Sequence, residues 1–216
     1  MSTIKTNQLA HTANGAATYT LPQTDGSAGQ VLKTDGSGNL SWVTLPSQSD
    51  CVKLAAATGT SAVGQLLFQN LDVTNYRTFK IILSAYPTVD GDQLRLRVLD
   101  GSTYKTGAGT YNWAQSGLSE TASGADSYAV IGNSAGNNNY EGWRTEITYV
   151  PHVSGDPAYQ NNFGFAETNR YTTGNAHRGE TYHFKFHQSD VTDGIELYAS
   201  SGNIAAYSYT LYGLRR

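Results

Sequence analysis

Cysteine, long apolar runs and charge are all scarce in this chain of 216 residues. Cys51 is the single cysteine, so no disulfide can form within the chain, and burial statistics favour a small, half-buried residue over a reactive thiol. No apolar run approaches the roughly 18 residues of a membrane span, and the polar start lacks the apolar core of a signal peptide. We therefore expect that the protein does not insert into a membrane and that it assembles in a cytoplasm.

Charged residues make up only 14% of the chain, and the net charge is -3. The 14 Lys and Arg residues are spread thinly and form no basic stripe, so nucleic acid is not expected as a partner. Aromatic and β-branched residues are frequent, and such a weakly charged chain can offset its ordering entropy. The chain is therefore expected to fold.

Glycine and tyrosine are abundant, with 23 and 15 copies. Leu94, Leu96 and Val98 alternate with Arg95 and Arg97, which is the period of a strand with one buried face. No segment has the sustained apolar period of a helix. The pattern predicts an all-β fold, an antiparallel, jelly-roll-like β-sandwich over residues 50–216. Nine strands are expected, within 62–68, 79–86, 94–98, 128–131, 145–150, 162–166, 182–186, 194–199 and 204–212.

Residues 1–49 have a different composition, since Thr, Gly, Ser, Asn and Gln dominate and apolar residues are isolated. Thr-Asp-Gly-Ser occurs at 24–27 and again at 34–37, and each Asp-Gly pair predicts a tight turn. Short strands at 30–33 and 40–43 would form a small hairpin in an extended arm. Because an isolated hairpin is marginal and its Trp42 would be exposed, other chains should cover it. The expected assembly interface comprises Val31, Leu32, Leu40, Trp42 and Val43.

The segment from Asp25 to Val43, DGSAGQVLKTDGSGNLSWV, resembles a motif of phage tail fibres and related virion appendages. The opening MSTIKTNQLAHT resembles the starts of such proteins, and the ending from Tyr207 to Leu214 resembles their final strand. The resemblance implies a homotrimer, a particle-bound N-terminus and a distal C-terminal module that meets the host surface.

Aromatic residues are interspersed in a long Gly-, Ser- and Asn-rich stretch between Asp100 and Gly142 and just beyond it. Tyr and Trp rings give large contact area, and the small polar residues give adaptable hydrogen bonds, a mixture found in recognition surfaces. The alternative is that these rings fill the sandwich core or a trimer interface. The candidate glycan-binding residues are Tyr104, Tyr111, Trp113, Tyr140 and Trp143.

Enzyme-like signals are weak. Gly132 to Gly136 fits the G-x-S-x-G nucleophile elbow, but the following asparagines favour a turn over the required helix. His183 and His187 lie about 13 Å apart along a strand and cannot share a zinc ion. The acidic residues Asp90, Asp92, Asp100 and Asp156 could pair as glycosidase carboxylates, although turn-forming Asp is commoner. We expect no enzyme activity, catalytic residue, metal or cofactor.

These observations favour a tail fibre of a phage virion that attaches to other virion proteins through residues 1–49 and binds a host-surface glycan through residues 50–216. A capsid decoration protein, either cement or head fibre, would explain the same features. A glycan depolymerase is the third possibility. The position of the protein on the particle separates the first two.

Overall fold

The computed structural model describes residues 6–10, 18–45, 50–107, 110–115, 127–138, 141–152, 162–172, 176–186 and 191–216. The chain divides into two compact units, Met1–Ser49 and Asp50–Arg216. Every regular element in the described ranges is a β-strand, which confirms the predicted all-β class. Across these same ranges, no helix is long and apolar enough to cross a membrane.

The first unit contains antiparallel hairpins. Its strands are β1 (Gln8–Ala10), β2 (Thr18–Thr20), β3 (Gln30–Thr34) and β4 (Leu40–Thr44). The β3–β4 hairpin is the one that the sequence predicted. The β1–β2 hairpin was not predicted, because three-residue strands with a single large side chain show no alternation.

The Thr-Asp-Gly-Ser copies adopt different structures. In the second copy, Asp35 Oδ1 accepts the amides of Ser37 at 2.7 Å and Asn39 at 3.1 Å, and Gly36 has a φ of 82°. This copy forms the predicted hairpin turn. In the first copy, Gly26 does not adopt a positive φ and lies against the ring of Trp42. A turn does precede β3, but it lies beyond Asp25-Gly26, where the Gln30 amide donates to the Ser27 carbonyl at 3.1 Å and Gly29 has a φ of 88°.

The second unit contains the remaining strands in two sheets. These are β5 (Cys51–Gly59), β6 (Gln65–Phe68), β7 (Tyr76–Pro87), β8 (Asp92–Asp100), β9 (Thr103–Tyr104), β10 (Tyr111–Gln115), β11 (Ala129–Ala135), β12 (Gly142–Val150), β13 (Asn162–Thr172), β14 (Ala176–Phe186), β15 (Gly194–Ala199) and β16 (Ile204–Arg215). All nine predicted strands are present.

The large sheet has seven strands in the order β10-β14-β13-β12-β7-β16-β5. The small sheet has five, with the order β11-β8-β15-β6 and β9 paired to β8. Every pairing is antiparallel. The arrangement is a β-sandwich and is compatible with a jelly roll.

One hydrophobic core joins the inner faces of the two sheets. Phe79, Ile81 and Leu83 of β7 are buried at alternate positions, as are Leu94 and Leu96 of β8. This is the period-2 pattern that the sequence displayed. The outward neighbours of these residues therefore form the exterior of each sheet.

Three strands of the second unit were not predicted. In β5 the alternation is hidden by small residues, and in β9 and β10 it is hidden inside the Gly-rich stretch that was interpreted as loop. Cys51, at the start of β5, is exposed rather than half-buried.

Candidate functional site

Two of the aromatic residues predicted to bind glycan belong to the core. Trp143 in β12 and Tyr111 in β10 are both 0% exposed. The Trp143 indole nitrogen donates to the Asn133 carbonyl at 3.0 Å. The Tyr111 hydroxyl accepts the Val98 amide at 3.0 Å and donates to the Lys105 carbonyl at 2.6 Å. Since no sugar can reach either ring, glycan binding is wrong for both, and the core-filling alternative applies.

The other three predicted residues are not brought together. Trp113, on edge strand β10, is half-buried and packs against the core. Tyr104 is half-buried in β9, beside β8 of the small sheet. Tyr140 lies outside the described residues. Of the predicted set, only Tyr104 belongs to the surface described next.

A different surface, the outer face of the small sheet, gathers charged and aromatic side chains. Because Leu94 and Leu96 of β8 point into the core, Arg95 and Arg97 point outwards. Strand pairing places Tyr198 opposite Arg95. We call this surface the Arg/Tyr face. It comprises Gln65, Gln93, Arg95, Arg97, Tyr104, Tyr128, Glu196 and Tyr198.

Arg95 is held by an aromatic ring and an amide. Its guanidinium carbon lies 4.0 Å from the centroid of the Tyr128 ring, which is within cation–π range. Its Nη2 donates to Gln93 Oε1 at 3.2 Å, whereas its buried Nε has no hydrogen-bond partner. No carboxylate among the described residues pairs with Arg95. Its charge is therefore fixed in place without an acidic partner in that part of the chain.

Arg97 contacts two tyrosine rings and one carboxylate. Its guanidinium carbon lies 4.2 Å from the Tyr198 centroid and 5.5 Å from the Tyr104 centroid. Its Nε is 2.9 Å from Oε2 of Glu196, but the atoms lack hydrogen-bond alignment. We interpret this pair as a charge contact, since distance alone sets the Coulomb attraction.

The electrostatics of the face follow from burial. Burial raises the pKa of the Glu196 carboxyl above its ordinary value, and the nearby Arg97 opposes that shift. Burial also raises the pKa of the Tyr198 hydroxyl. Even when Glu196 is ionised, two arginines outnumber one carboxylate. The Arg/Tyr face therefore has an excess of positive charge.

Side-chain amides frame the arginines. Gln65 Nε2 donates to the Tyr104 hydroxyl at 3.0 Å. Gln93 Nε2 donates to Asn133 Oδ1 at 3.4 Å, and Asn133 Nδ2 donates to Gln115 Oε1 at 2.9 Å. Amides offer both donors and acceptors, which suits a polyhydroxylated ligand. Arg95 thus belongs to one chain of amide hydrogen bonds, and Arg97 lies over the Tyr104 ring that Gln65 binds.

The sequence predicted the orientation of the two arginines of this face, but not that they form a site. The alternation around Arg95 and Arg97 predicted their outward orientation. Two adjacent outward arginines in a chain with only 14 Lys and Arg residues were the available signal. No sequence pattern links them to Tyr128 and Tyr198, because Tyr198 lies on β15 and Tyr128 directly precedes β11.

The G-x-S-x-G match does not form a nucleophile elbow. Ser134 lies within strand β11, and no positive φ marks a sharp turn there. The residues after it, 136–138, are not helical. The Ser134 carbonyl instead accepts a hydrogen bond from Arg170 Nη1 at 2.8 Å. The segment is a strand tied to the large sheet.

Asp92 and Asp100, the acidic residues at the two ends of β8, lie too far apart to act as a pair of glycosidase carboxylates. Asp92 and Asp100 are the first and last residues of this nine-residue strand, about 25 Å apart at its usual rise. Glycosidase pairs lie roughly 5–9.5 Å apart. Asp90 is exposed, whereas Asp156 and His187 lie outside the described residues. The described part of the chain contains no group of three potential metal ligands.

The predicted assembly residues lie on the β3–β4 hairpin. Val31 pairs with Val43 on one face, and Leu32 pairs with Trp42 on the other, which also bears Leu40. None of the described residues of the first unit is buried, and Val31 and Leu32 are 37% and 42% exposed.

The Trp42 ring was expected to be uncovered, but it is not. It is half-buried, because Gly26 lies against its indole and the Thr24 carbonyl accepts its N–H at 2.8 Å. The first unit thus covers its own tryptophan in part. Val31 and Leu32 keep the exposed apolar surface.

No protein-family model matches this chain, and no curated protein or solved structure is significantly similar to it.

Proposed function

We propose that this chain is a structural protein of a phage virion, a tail fibre that binds a host-surface glycan through the Arg/Tyr face. The N-terminal unit attaches it to other virion proteins, and the protein acts as a homotrimer. The observation that carries the binding role is the pair of arginines stacked on tyrosine rings and framed by amides. The virion role rests on the sequence resemblance and on the character of the first unit.

The first unit supports an attachment role because it cannot bury its own apolar side chains. Leu9, Leu32 and Leu45 are all exposed, and no described residue of this unit is buried. Two-stranded hairpins of this size are marginal in isolation. An exposed apolar surface on a small unit indicates contact with another chain. Neighbouring virion proteins and trimer partners both satisfy that need.

The Arg/Tyr face supports glycan recognition because its groups match the chemistry of sugars. Guanidinium and phenol groups offer donors, and Gln65 and Gln93 offer both donors and acceptors. Tyrosine presents a rigid apolar surface at low entropic cost, to which the C–H face of a pyranose can pack. The sandwich provides a rigid support, as binding sites require.

Immunogold labelling of intact particles tests the virion role. The antibody is raised against residues 50–216, and the same particles are examined with pre-immune serum as the control. Gold at the tail tip or baseplate supports the fibre. Gold over the head would replace it with capsid decoration, and no gold on particles would overturn both.

A second measurement tests the binding role on cells. The full chain, fluorescently labelled, is added to host cells before and after periodate oxidation of their surface sugars. We expect binding that periodate abolishes. Binding that survives oxidation would point to a protein receptor and would contradict the glycan proposal.

A further inference from the structure

The Arg/Tyr face carries more positive charge than the binding of a neutral glycan requires. A neutral sugar is satisfied by amides and hydroxyls, and two guanidinium groups on one strand face add only desolvation cost. Arg95 and Arg97 are two positions apart on β8, so their side chains emerge on the same face about 7 Å apart. Among the residues that the structure describes, a single carboxylate, that of Glu196, opposes the two arginines.

The roles of the two arginines differ. Arg97 already contacts Glu196 and two tyrosine rings, so its charge is offset within the protein. Arg95 has one amide partner, one stacked ring and no carboxylate among the described residues. A half-buried cation without an acidic partner is the place where an incoming anion gains most.

The planar guanidinium also selects the kind of anion. Its terminal nitrogens form a fork that binds a carboxylate through two parallel hydrogen bonds. The Arg95 Nε is buried, so the terminal nitrogens are the donors left to a ligand. Stacking on Tyr128 fixes the plane of the fork before binding, which reduces the entropy lost on binding.

We infer that the Arg/Tyr face binds acidic glycans, with the carboxylate of a uronic or other carboxylated sugar held by Arg95. This inference rests on the proposed glycan-binding function and names its ligand class. Gln65, Gln93 and Tyr104 bind hydroxyl groups of the same or the neighbouring sugar. Arg97, paired with Glu196, holds the tyrosine rings in position.

An array of immobilised oligosaccharides tests the inference with the full chain. Each uronic-acid oligosaccharide is printed beside its methyl ester, which keeps the sugar and removes the charge. Sulfated and neutral oligosaccharides complete the array. We expect retention on carboxylated sugars and at least a tenfold loss of affinity for the matching esters.

Variants of the same chain assign the effect to Arg95. Arg95→Gln should lose the preference for the acid over its ester, and Arg95→Lys should recover only part of it, because lysine keeps the charge without the fork. Arg77→Gln is the matched control, since Arg77 is an exposed residue of β7 in the large sheet and its removal changes the net charge equally. Thermal unfolding of each variant establishes that it is folded.

The outcomes separate this inference from the function on which it rests. Equal binding to acids and esters, retention on neutral sugars alone, equal retention on sulfated sugars, or an unchanged preference in a folded Arg95→Gln protein would each overturn the inference and leave glycan binding standing. No retention on any sugar would overturn both.

Discussion

Gly26 lies so close to Trp42 that a β-carbon at this position would be 2.6 Å from the indole Cδ2. The same indole donates its N–H to the Thr24 carbonyl at 2.8 Å. These two contacts make residues 24–26 a cover for the β3–β4 hairpin. The identity of residue 26 therefore decides whether the tryptophan of the first unit is half-buried or exposed.

Gly26→Ala should displace this cover and expose Trp42, at a cost typical of overpacking, about 1–3 kcal/mol within the first unit. The indole N–H signals in ¹⁵N spectra of the full chain report the change, with the Trp42 signal assigned from a Trp42→Phe sample. We expect the Trp42 signal to move towards the position of a solvated indole. The signals of Trp113 and Trp143, in the second unit, serve as internal controls and should stay. An unmoved Trp42 signal would contradict the packing described.

Tyr111→Phe should destabilise the sandwich without affecting glycan binding. The change leaves the Val98 amide and Lys105 carbonyl without the hydroxyl that serves both, at a cost of about 1–3 kcal/mol. Urea unfolding followed by far-ultraviolet circular dichroism measures the loss. Tyr171→Phe is the matched control at an exposed site and should change stability by under about 0.5 kcal/mol. Equal stability of the two variants would be inconsistent with a buried, doubly bonded Tyr111 hydroxyl.

Asp92→Asn should loosen the turn between β15 and β16. The buried Asp92 carboxylate accepts the amides of Ser201 and Gly202, each at 2.9 Å, and the hydroxyl of Ser200. An asparagine loses one acceptor oxygen, so we expect a cost of about 1–3 kcal/mol. Hydrogen exchange at the Ser201 and Gly202 amides should quicken. Asp90→Asn, an exposed change of equal charge, should leave those amides as protected as in the wild type.

Arg97→Gln should alter how stability depends on pH. The raised pKa of Glu196 means that the folded chain holds this proton more tightly than the unfolded chain. The free energy of unfolding therefore falls as pH rises from the unfolded pKa, about 4.3, through the folded value. Removing Arg97 raises the folded pKa further, because Arg97 is the group that lowers it. The variant should thus lose more stability across this window.

Urea unfolding at a series of pH values, for the wild type, Arg97→Gln and Arg77→Gln, measures that difference. Parallel pH profiles for all three would contradict the coupling of Arg97 to Glu196. A steeper decline confined to Arg97→Gln would support it.

Leu32→Glu should weaken assembly through the first unit while leaving the sandwich intact. The exposed Leu32 side chain would carry a charge that is costly to bury against another chain. Light scattering coupled to size-exclusion chromatography should show a smaller species, with the melting temperature of the second unit unchanged. Lys33→Glu is the matched control, because it places the same residue at the neighbouring position. If Leu32→Glu left the size of the assembly unchanged, the Leu32 side chain would not belong to the interface.

The sequence by itself determined the class of the fold. Apolar residues alternate along β7, β8, β14 and β16, and alternation places one face of a strand in the core whatever its partners are. The same rule correctly directed Arg95 and Arg97 outwards. The second Thr-Asp-Gly-Ser forms its hairpin turn because both requirements are local. Asp35 accepts the hydrogen bond from the Ser37 amide, and Gly36 adopts the positive φ.

Only the tertiary structure decided which aromatic rings face the core and which face solvent. Tyr111 is buried because β10 pairs with the distant β14, and Trp143 because β12 lies between β13 and β7. Likewise, Tyr198 reaches the arginines of β8 through the register of β15, and Tyr128 reaches Arg95 because it directly precedes β11, which pairs with β8. Local sequence encodes the direction of a side chain relative to its own strand. What that side chain touches depends on strands brought together by long-range pairing, which no local pattern specifies.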